Sequence, residues 1–360
     1  MSQPNHPGES TSFKAVVIGA RGYVGGELLR LLSGHPACEE VVAVARSGAG
    51  DPIVDSFSHL QPLYGEQCFV DLATALGDAQ EGERWAIFTA VPHGTSASLL
   101  SEALPELEQR GVAVKVVDLA ADFRLASPED YESTYRAPHG DPSLYPSFVC
   151  ALPDLLAPTP DAHIAHPGCF TTAVSLAAAP LVAEGLSEGR IVASCITGST
   201  GSGRAPGAGT HHPHRHANLV GYSPLVHRHR IEMEQLMGAV GEAPDIIFLP
   251  HSGPFSRGIH ATLSTRLSRE ITADQLRDLY RDYYAHSSFV TIVNGAPNLK
   301  DVVGSNHCRL GVAAHGDEVV IYSVIDNLLK GAAGGAIQWM NRLFKLAPET
   351  GLEQCSSGWS

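Results

Sequence analysis

The chain has 360 residues, 44% of them hydrophobic, and a formal net charge of -14 from 38 Asp and Glu against 24 Lys and Arg. That length and apolar content suit two domains of ordinary size, while the acidic balance argues against a nucleic-acid partner, which needs a basic, phosphate-neutralising surface. No apolar run approaches the roughly 20 residues of a membrane helix, and the polar opening over residues 1–12 reads as a disordered tail without signal-peptide order, so a cytoplasmic protein with a small-molecule partner is expected.

The first patterned stretch is "FKAVVIGARGYVGGELLRLLSGHP", residues 13–36. An apolar strand runs into Gly19, Gly22 and Gly25, then into a helix with Leu28, Leu29 and Leu32 on one side, stopped by Gly34 and Pro36. Strand, glycine turn and helix in this order are the local physics of a dinucleotide site, since the glycines let a pyrophosphate approach the helix N-terminus. The next strand ends in Arg46 and Ser47. An acidic residue there would hold the ribose hydroxyls of NAD, whereas Arg suits the 2'-phosphate of NADP, so NADP(H) is the expected cofactor. "WAIFTAVPHG" at 85–94 reads as a buried strand and turn, 95–110 as a helix interrupted by Pro105, and "VAVKVVDLAADFRL" at 112–125 as a further strand. This alternation predicts a doubly wound parallel sheet.

In "AHIAHPGCFTTAVSLAAAPL", residues 162–181, Cys169 follows Pro-Gly and opens a helix-like run ending at Gly185. At such a position the helix dipole and free N–H groups favour thiolate, which makes Cys169 a candidate nucleophile as well as a candidate buried thiol. The seven cysteines stand singly, with no CxxC pair or disulfide framework; Cys195 and Cys150 read as buried. Past residue 165 the texture turns strand-rich, with "GRIVASCITGS", "DIIFLPHSG", "GIHATLSTRL", "FVTIV", "CRLGVAA" and "EVVIYSVI" separated by helices at 231–240 and 272–285, the latter with a Thr272–Gln275 capping box. A mostly antiparallel sheet in a second, α+β domain is expected. The segment 327–344 reads as a helix returning to the first domain. His229 and Glu232, three apart before and within a helix, can share a face so that the carboxylate orients the imidazole. His211, His212, His214 and His216 invite a zinc reading, but Pro213 divides them and no cysteine joins them, so no metal is expected.

In this order, "GARGYVGGELLRLL", "AVPHG", "DLAADFRL", "HPGCFTT", "HRHRIEMEQ", "FLPHSGPFSRGI" and "SVIDNLLKGAAGGAIQ" closely resemble the N-acetyl-gamma-glutamyl-phosphate reductases of arginine biosynthesis, in the semialdehyde dehydrogenase family. The resemblance covers residues 13–346. It implies a nucleophile at Cys169, acid/base work at His229 and Glu232 as its partner. It further implies cofactor contacts from Gly19, Ala20, Arg21, Gly22, Tyr23, Val24, Gly25, Arg46, Ser47, Pro92 and Asn327, and substrate contacts from Ser199, Gly201 and Arg257. The implied organisation is an α/β fold: an NADP-binding Rossmann domain over 13–165 completed by 328–360, a catalytic and substrate domain over 166–327, and a homo-oligomer, dimer or tetramer. The implied reaction is NADPH-dependent reductive dephosphorylation of an acyl phosphate through a cysteine thioester. Arg21 stands where the family commonly has Ser, and the loop 198–216 partly resembles relatives acting on N-succinyl or carrier-protein-linked substrates. Aspartate-semialdehyde dehydrogenase, a cysteine hydrolase and a non-enzymatic NADP sensor are the alternatives.

Overall fold

A computed structural model of the chain describes residues 11–359; most of the tail expected over 1–12 lies outside the described residues. The first sheet contains β1 (Phe13–Ile18), β2 (Cys38–Val44), β3 (Arg84–Thr89), β4 (Ala113–Asp118), β5 (Phe148–Cys150) and β6 (His163–Ala165), in the order β2-β1-β3-β4-β6-β5. Every pairing is parallel. Successive side chains of β1 enter different cores: Ala15 and Val17 pack with Leu28 and Leu29, while Val16 and Ile18 pack with Leu100 and Leu107. A sheet buried on both faces explains why its strands read as continuous apolar runs. Its longer helices are α1 (Tyr23–Leu32), α2 (Ser96–Gln109) and α3 (Pro128–Tyr135).

Two expectations need correcting here. Helix α2 runs unbroken through Pro105, because Leu100, Ala103 and Leu107 anchor it in the core on both sides of the proline. The strand expected over 112–125 ends at Asp118. There the Asp118 carboxyl accepts the Ala120 N–H at 3.2 Å, and the buried Asp122 accepts the N–H groups of Gly94 and Ala97. A strand cannot satisfy these bonds, so the apolar run 119–125 is a buried loop.

The second sheet contains β7 (Ser187–Thr197), β8 (Val220–Gly221), β9 (Asp245–Ser252), β10 (Ile259–Leu267), β11 (Val290–Val293), β12 (Cys308–His315) and β13 (Glu318–Ile325), in the order β11-β12-β13-β10-β7-β9-β8. The pairs β11–β12 and β7–β9 are parallel and the rest antiparallel. One face is covered by α4 (Cys169–Ala183), α5 (His229–Gly238) and α6 (Ala273–Tyr283), whose apolar residues share a core with Ile191, Phe248, Leu263 and Ile321. The Thr272–Gln275 capping box is present at the start of α6. The final segment is not one helix: a π-helix, Leu329–Ala333, precedes α7 (Gly334–Leu343). Its Leu329, Ala336, Ile337 and Trp339 join Phe13, Val17 and Leu28 in the core of the first sheet.

Candidate active site

Helix α4 begins at Cys169 with Gly168 as its N-cap, and Gly168 carries no capping side chain, so the thiol stands in the first turn beside free N–H groups. A side chain at Gly168 would displace the His229 ring, because a Cβ there would collide with its Nε2. The imidazole therefore lies directly over the residue preceding Cys169, carried there by the first turn of α5. His229 is buried, and its Nδ1 has no hydrogen-bond partner.

Glu232 does not act as the sequence spacing suggests. Its Oε2 accepts the Gly168 N–H at 2.8 Å and the Thr171 hydroxyl at 3.0 Å, and its Oε1 accepts from Nη1 of Arg124 at 3.3 Å. The carboxylate thus ties the start of α4 to the loop after β4, and acts on His229 only through its charge. Arg124 is itself buried, with Nη2 donating to the Leu119 carbonyl at 2.7 Å. Burial would push the Glu232 carboxyl up, but Arg124, His229, the Gly168 N–H and the Thr171 hydroxyl outweigh it and hold the group at about 2. Burial pushes the Cys169 thiol up to about 11 against the pull of Arg124 and the backbone N–H groups of Phe170 and Cys169. It also pushes His229 down to about 3, only partly offset by Glu232. Contrary to the expectation from the helix dipole, the resting pair is a neutral thiol and a neutral imidazole.

The glycine turn sits at the C-terminal end of β1. Gly19 has a φ of +87°, and a Cβ there would lie 2.5 Å from the Ala90 carbonyl oxygen; a Cβ at Gly25 would be as close to that of Ala20. Gly22 caps α1 without a side-chain bond, which leaves helix N–H groups for an anion. Ala20, Tyr23 and Val24 complete the turn, and Arg46, Ser47 and Pro92 follow β2 and β3 at the same end of the sheet. This is the crevice where the strand order reverses, the place where open α/β sheets take their ligands. Arg46 and Ser47 are exposed. Arg21 does not face a free crevice: its Nη1 donates to the Ser47 carbonyl at 3.0 Å and to Asp51 at 2.8 Å. Across the crevice, Ser199 and Thr200 line a cleft of about 370 Å³ with Tyr23 and the loop through Gly207, and Gly201 lies exposed in that loop. Arg204 of the same loop reaches back to the carbonyls of Arg21 and Ser56, each at 3.0 Å.

Asn327 is buried, accepting from Gly258 N–H at 2.7 Å and donating to the Thr200 hydroxyl at 3.0 Å. Arg257 is held between carboxylates from both parts of the chain, Glu27 at 2.6 Å and Asp326 at 3.0 Å. It ties α1 to the second sheet, and its Nη2 is left buried without a hydrogen-bond partner. Among the described residues no three His, Cys, Asp or Glu side chains converge as a metal site would require, and no helix is long and apolar enough to cross a membrane.

Residues 14–174 match the family description "Semialdehyde dehydrogenase, NAD binding domain", and residues 169–327 match "Semialdehyde dehydrogenase, dimerisation domain". N-acetyl-gamma-glutamyl-phosphate reductase of Methanocella arvoryzae is 39% identical over 94% of this chain and 97% of its own, and that of Methanopyrus kandleri 40% identical over the same shares. The chain belongs to the semialdehyde dehydrogenase family, among the N-acetyl-gamma-glutamyl-phosphate reductases. Solved aspartate semialdehyde dehydrogenases share the family fold: that of Vibrio cholerae, 16% identical, superimposes with a TM-score of 0.67 over 93% of this chain and 98% of its own. A complex from Candida albicans with NADP, also 16% identical, gives 0.63 over 93% and 98%. The nicotinamide-binding half of the family is thus the β1–β6 sheet with its glycine turn, whose close-packed Gly19 and Gly25 and uncapped α1 fit a dinucleotide pyrophosphate.

Sequence reasoning missed Arg124, Thr171 and Arg204 as site residues. Arg124 stands in the apolar run "DLAADFRL", and a charged residue inside so buried a stretch was the available signal, since such a group must be paired.

Proposed function

We propose that the chain reduces N-acetyl-L-glutamyl 5-phosphate to N-acetyl-L-glutamate 5-semialdehyde, with NADPH as reductant and release of phosphate, as a step of arginine biosynthesis. The observation that carries this reading is Cys169 at the first turn of α4 with His229 stacked over Gly168, in a chain about 39% identical to reductases of that name. Residues 13–165 with 328–360 form the cofactor unit of this reading and 166–327 the catalytic unit.

His229, neutral at rest, takes the proton of the Cys169 thiol as sulfur attacks the acyl carbon. The C–S bond forms, the C–O bond to phosphate breaks, and a thioester remains. Arg124, behind Glu232, keeps positive charge near the sulfur while it is anionic, and the free N–H groups of α4 face the developing oxyanion. The glycine turn 19–25 with Tyr23, Arg46, Ser47 and Pro92 would hold the dinucleotide, whose nicotinamide supplies hydride to the thioester carbon. The C–S bond then breaks, and His229 returns its proton to the sulfur. Arg46 supports NADPH over NADH, because a cation after β2 suits the 2'-phosphate and the nearby Asp51 carboxylate is paired with Arg21. Ser199 and Gly201, beside the cleft, and Arg257, whose Nη2 has no partner within the chain, are the proposed substrate contacts.

The half-exposed face of the second sheet supports pairing with a second copy. In its middle, Val192, Ser194 and Ile196 of β7, Thr262 and Ser264 of β10, Ile247 and Leu249 of β9 and Val320 and Tyr322 of β13 form an uncharged patch beside His260, with Arg190, Asp245, Arg266, Arg309 and Glu318 toward the edges of the face. A patch of this kind, rimmed by charge, suits association.

The test is phosphate-dependent NADP reduction with N-acetyl-glutamate, N-succinyl-glutamate and aspartate semialdehydes side by side. The N-acetyl compound is expected to dominate kcat/KM. Preference for either of the others would replace the substrate, and equal use of NAD would remove the cofactor assignment.

A further inference from the structure

The chain buries one ammonium group that the proposed chemistry does not use. Lys330 is 1% exposed, as is its partner Asp154, and the two meet at 2.5 Å. Gln338 closes the cluster, accepting from Lys330 Nζ at 2.7 Å and donating to Asp154 Oδ1 at 3.1 Å, while Ser287 donates to the same oxygen at 2.7 Å. The remaining side of the ammonium faces the Phe289 ring at 5.0 Å. Although burial pushes the Asp154 carboxyl up, Lys330 and these hydrogen bonds outweigh it and hold the group below its ordinary value, so the pair is ionic. A buried ion pair is a poor source of stability, since apolar replacement of both partners is often neutral or stabilising. Its use has to be sought in what it positions.

Lys330 stands inside the π-helix Leu329–Ala333. The wide turn is held by Gly331 N–H to the Asp326 carbonyl at 3.0 Å and Ala333 N–H to the Leu328 carbonyl at 2.9 Å, and the Asp326 carboxylate starts it by accepting from Leu328 N–H at 2.8 Å. A π-turn inserts one residue relative to an α-helix and occurs frequently at functional sites. Here it lays backbone on the candidate nucleophile. A Cβ at Gly331 would lie 2.7 Å from Cβ of Cys169 and 3.1 Å from its Cα, and a Cβ at Gly335 would collide with the His166 ring. Relaxation of this turn to α-helical register would rotate Gly331 off Cys169 and bring a side chain in its place.

We propose that the Lys330–Asp154–Gln338 cluster is a positioning device: it locks the π-turn in the register that sets Gly331 against Cys169, and so fixes the direction of the thiol. Lys330 is a positioning residue, since it acts through the turn and not on reacting atoms. The proposal rests on Cys169 as the nucleophile.

The experiment compares the full chain with Lys330→Met/Asp154→Leu, which replaces both charges by apolar groups, with Gly331→Ala, which leaves the cluster intact, and with Cys169→Ser. Each is measured for thermal midpoint, kcat, KM and the pH profile of Cys169 alkylation by iodoacetamide, with the alkylated peptide located by mass. The double variant is expected to keep its thermal midpoint, lose kcat by about 10²-fold with little change in KM, as misplacement of a reacting group does, and show a displaced alkylation profile. Gly331→Ala is expected to lose kcat and displace the profile in the same way. A folded double variant with the parent's kcat and alkylation profile would overturn the proposal, and so would a Gly331→Ala protein unchanged in both. Failure of the nucleophile assignment shows separately, as turnover surviving in Cys169→Ser.

Discussion

Near neutral pH the Cys169 thiol and the His229 imidazole are both uncharged, with burial holding one at about 11 and the other at about 3. A resting thiolate–imidazolium pair would alkylate readily at neutral pH; this site is expected to show iodoacetamide reactivity that climbs through the alkaline range, with no plateau near neutrality. Replacement of the base, His229→Asn, should lower turnover by about 10² to 10⁴-fold, measured at saturating substrate. Glu232 and Arg124 form a buried pair bridging α5 and the loop after β4. Arg124→Met leaves a carboxylate buried without its cation, so a loss of about 3–5 kcal/mol in unfolding free energy is expected, read from denaturant midpoints. Asp118 behaves oppositely. Burial first, and Asp122 next, raise its carboxyl from 3.8 to about 7 against Thr89 and Arg124, and its Oδ2 has no partner. A raised folded value means that the neutral carboxyl contributes stability fully present below the ordinary Asp range and lost as pH rises through about 7. Asp118→Asn should flatten stability across that window; an unchanged slope would show that another group titrates there.

At the scale of elements, β1, the glycine turn and α1 were legible because an apolar run, fixed glycines and a 3.6-residue periodicity all agree there. The same agreement made Cys169 stand out at the head of α4. Strands β5 and β6, three residues each, carry too little pattern to be read, and the π-helix 329–333 escaped because local apolar spacing does not separate i+5 from i+4 bonding. The His229–Glu232 spacing puts Glu232 on the helix and His229 before it, whereas α5 begins at His229; the partner of Glu232 is set by long-range contacts with Arg124 and the Gly168 N–H, which no local pattern encodes. The expectation attached to β2 is directly testable: Arg46→Asp should shrink the preference for NADPH over NADH in kcat/KM, by removing the cation and adding a charge that repels the 2'-phosphate.

Across the whole molecule, the site is assembled from segments far apart in the chain: the loop after β4 gives Arg124, the start of α4 gives Cys169, α5 gives His229 and Glu232, and the C-terminal segment returns Gly331 to the back of the thiol. Arg257, clamped by Glu27 and Asp326, joins α1 to the second sheet. If the uncharged patch of the second sheet is a homodimer interface, Tyr322→Arg should halve the solution mass in light scattering while leaving the fold intact, since it puts a charge within that patch. The central claim is a covalent acyl-enzyme on Cys169, and the most direct measurement is phosphate release together with the mass of the protein after mixing with N-acetyl-glutamyl phosphate in the absence of NADPH. The account predicts about one phosphate per chain and one acyl group on the peptide containing Cys169, with neither in Cys169→Ser. A full phosphate burst in Cys169→Ser, or an acyl group on any other residue, would contradict it.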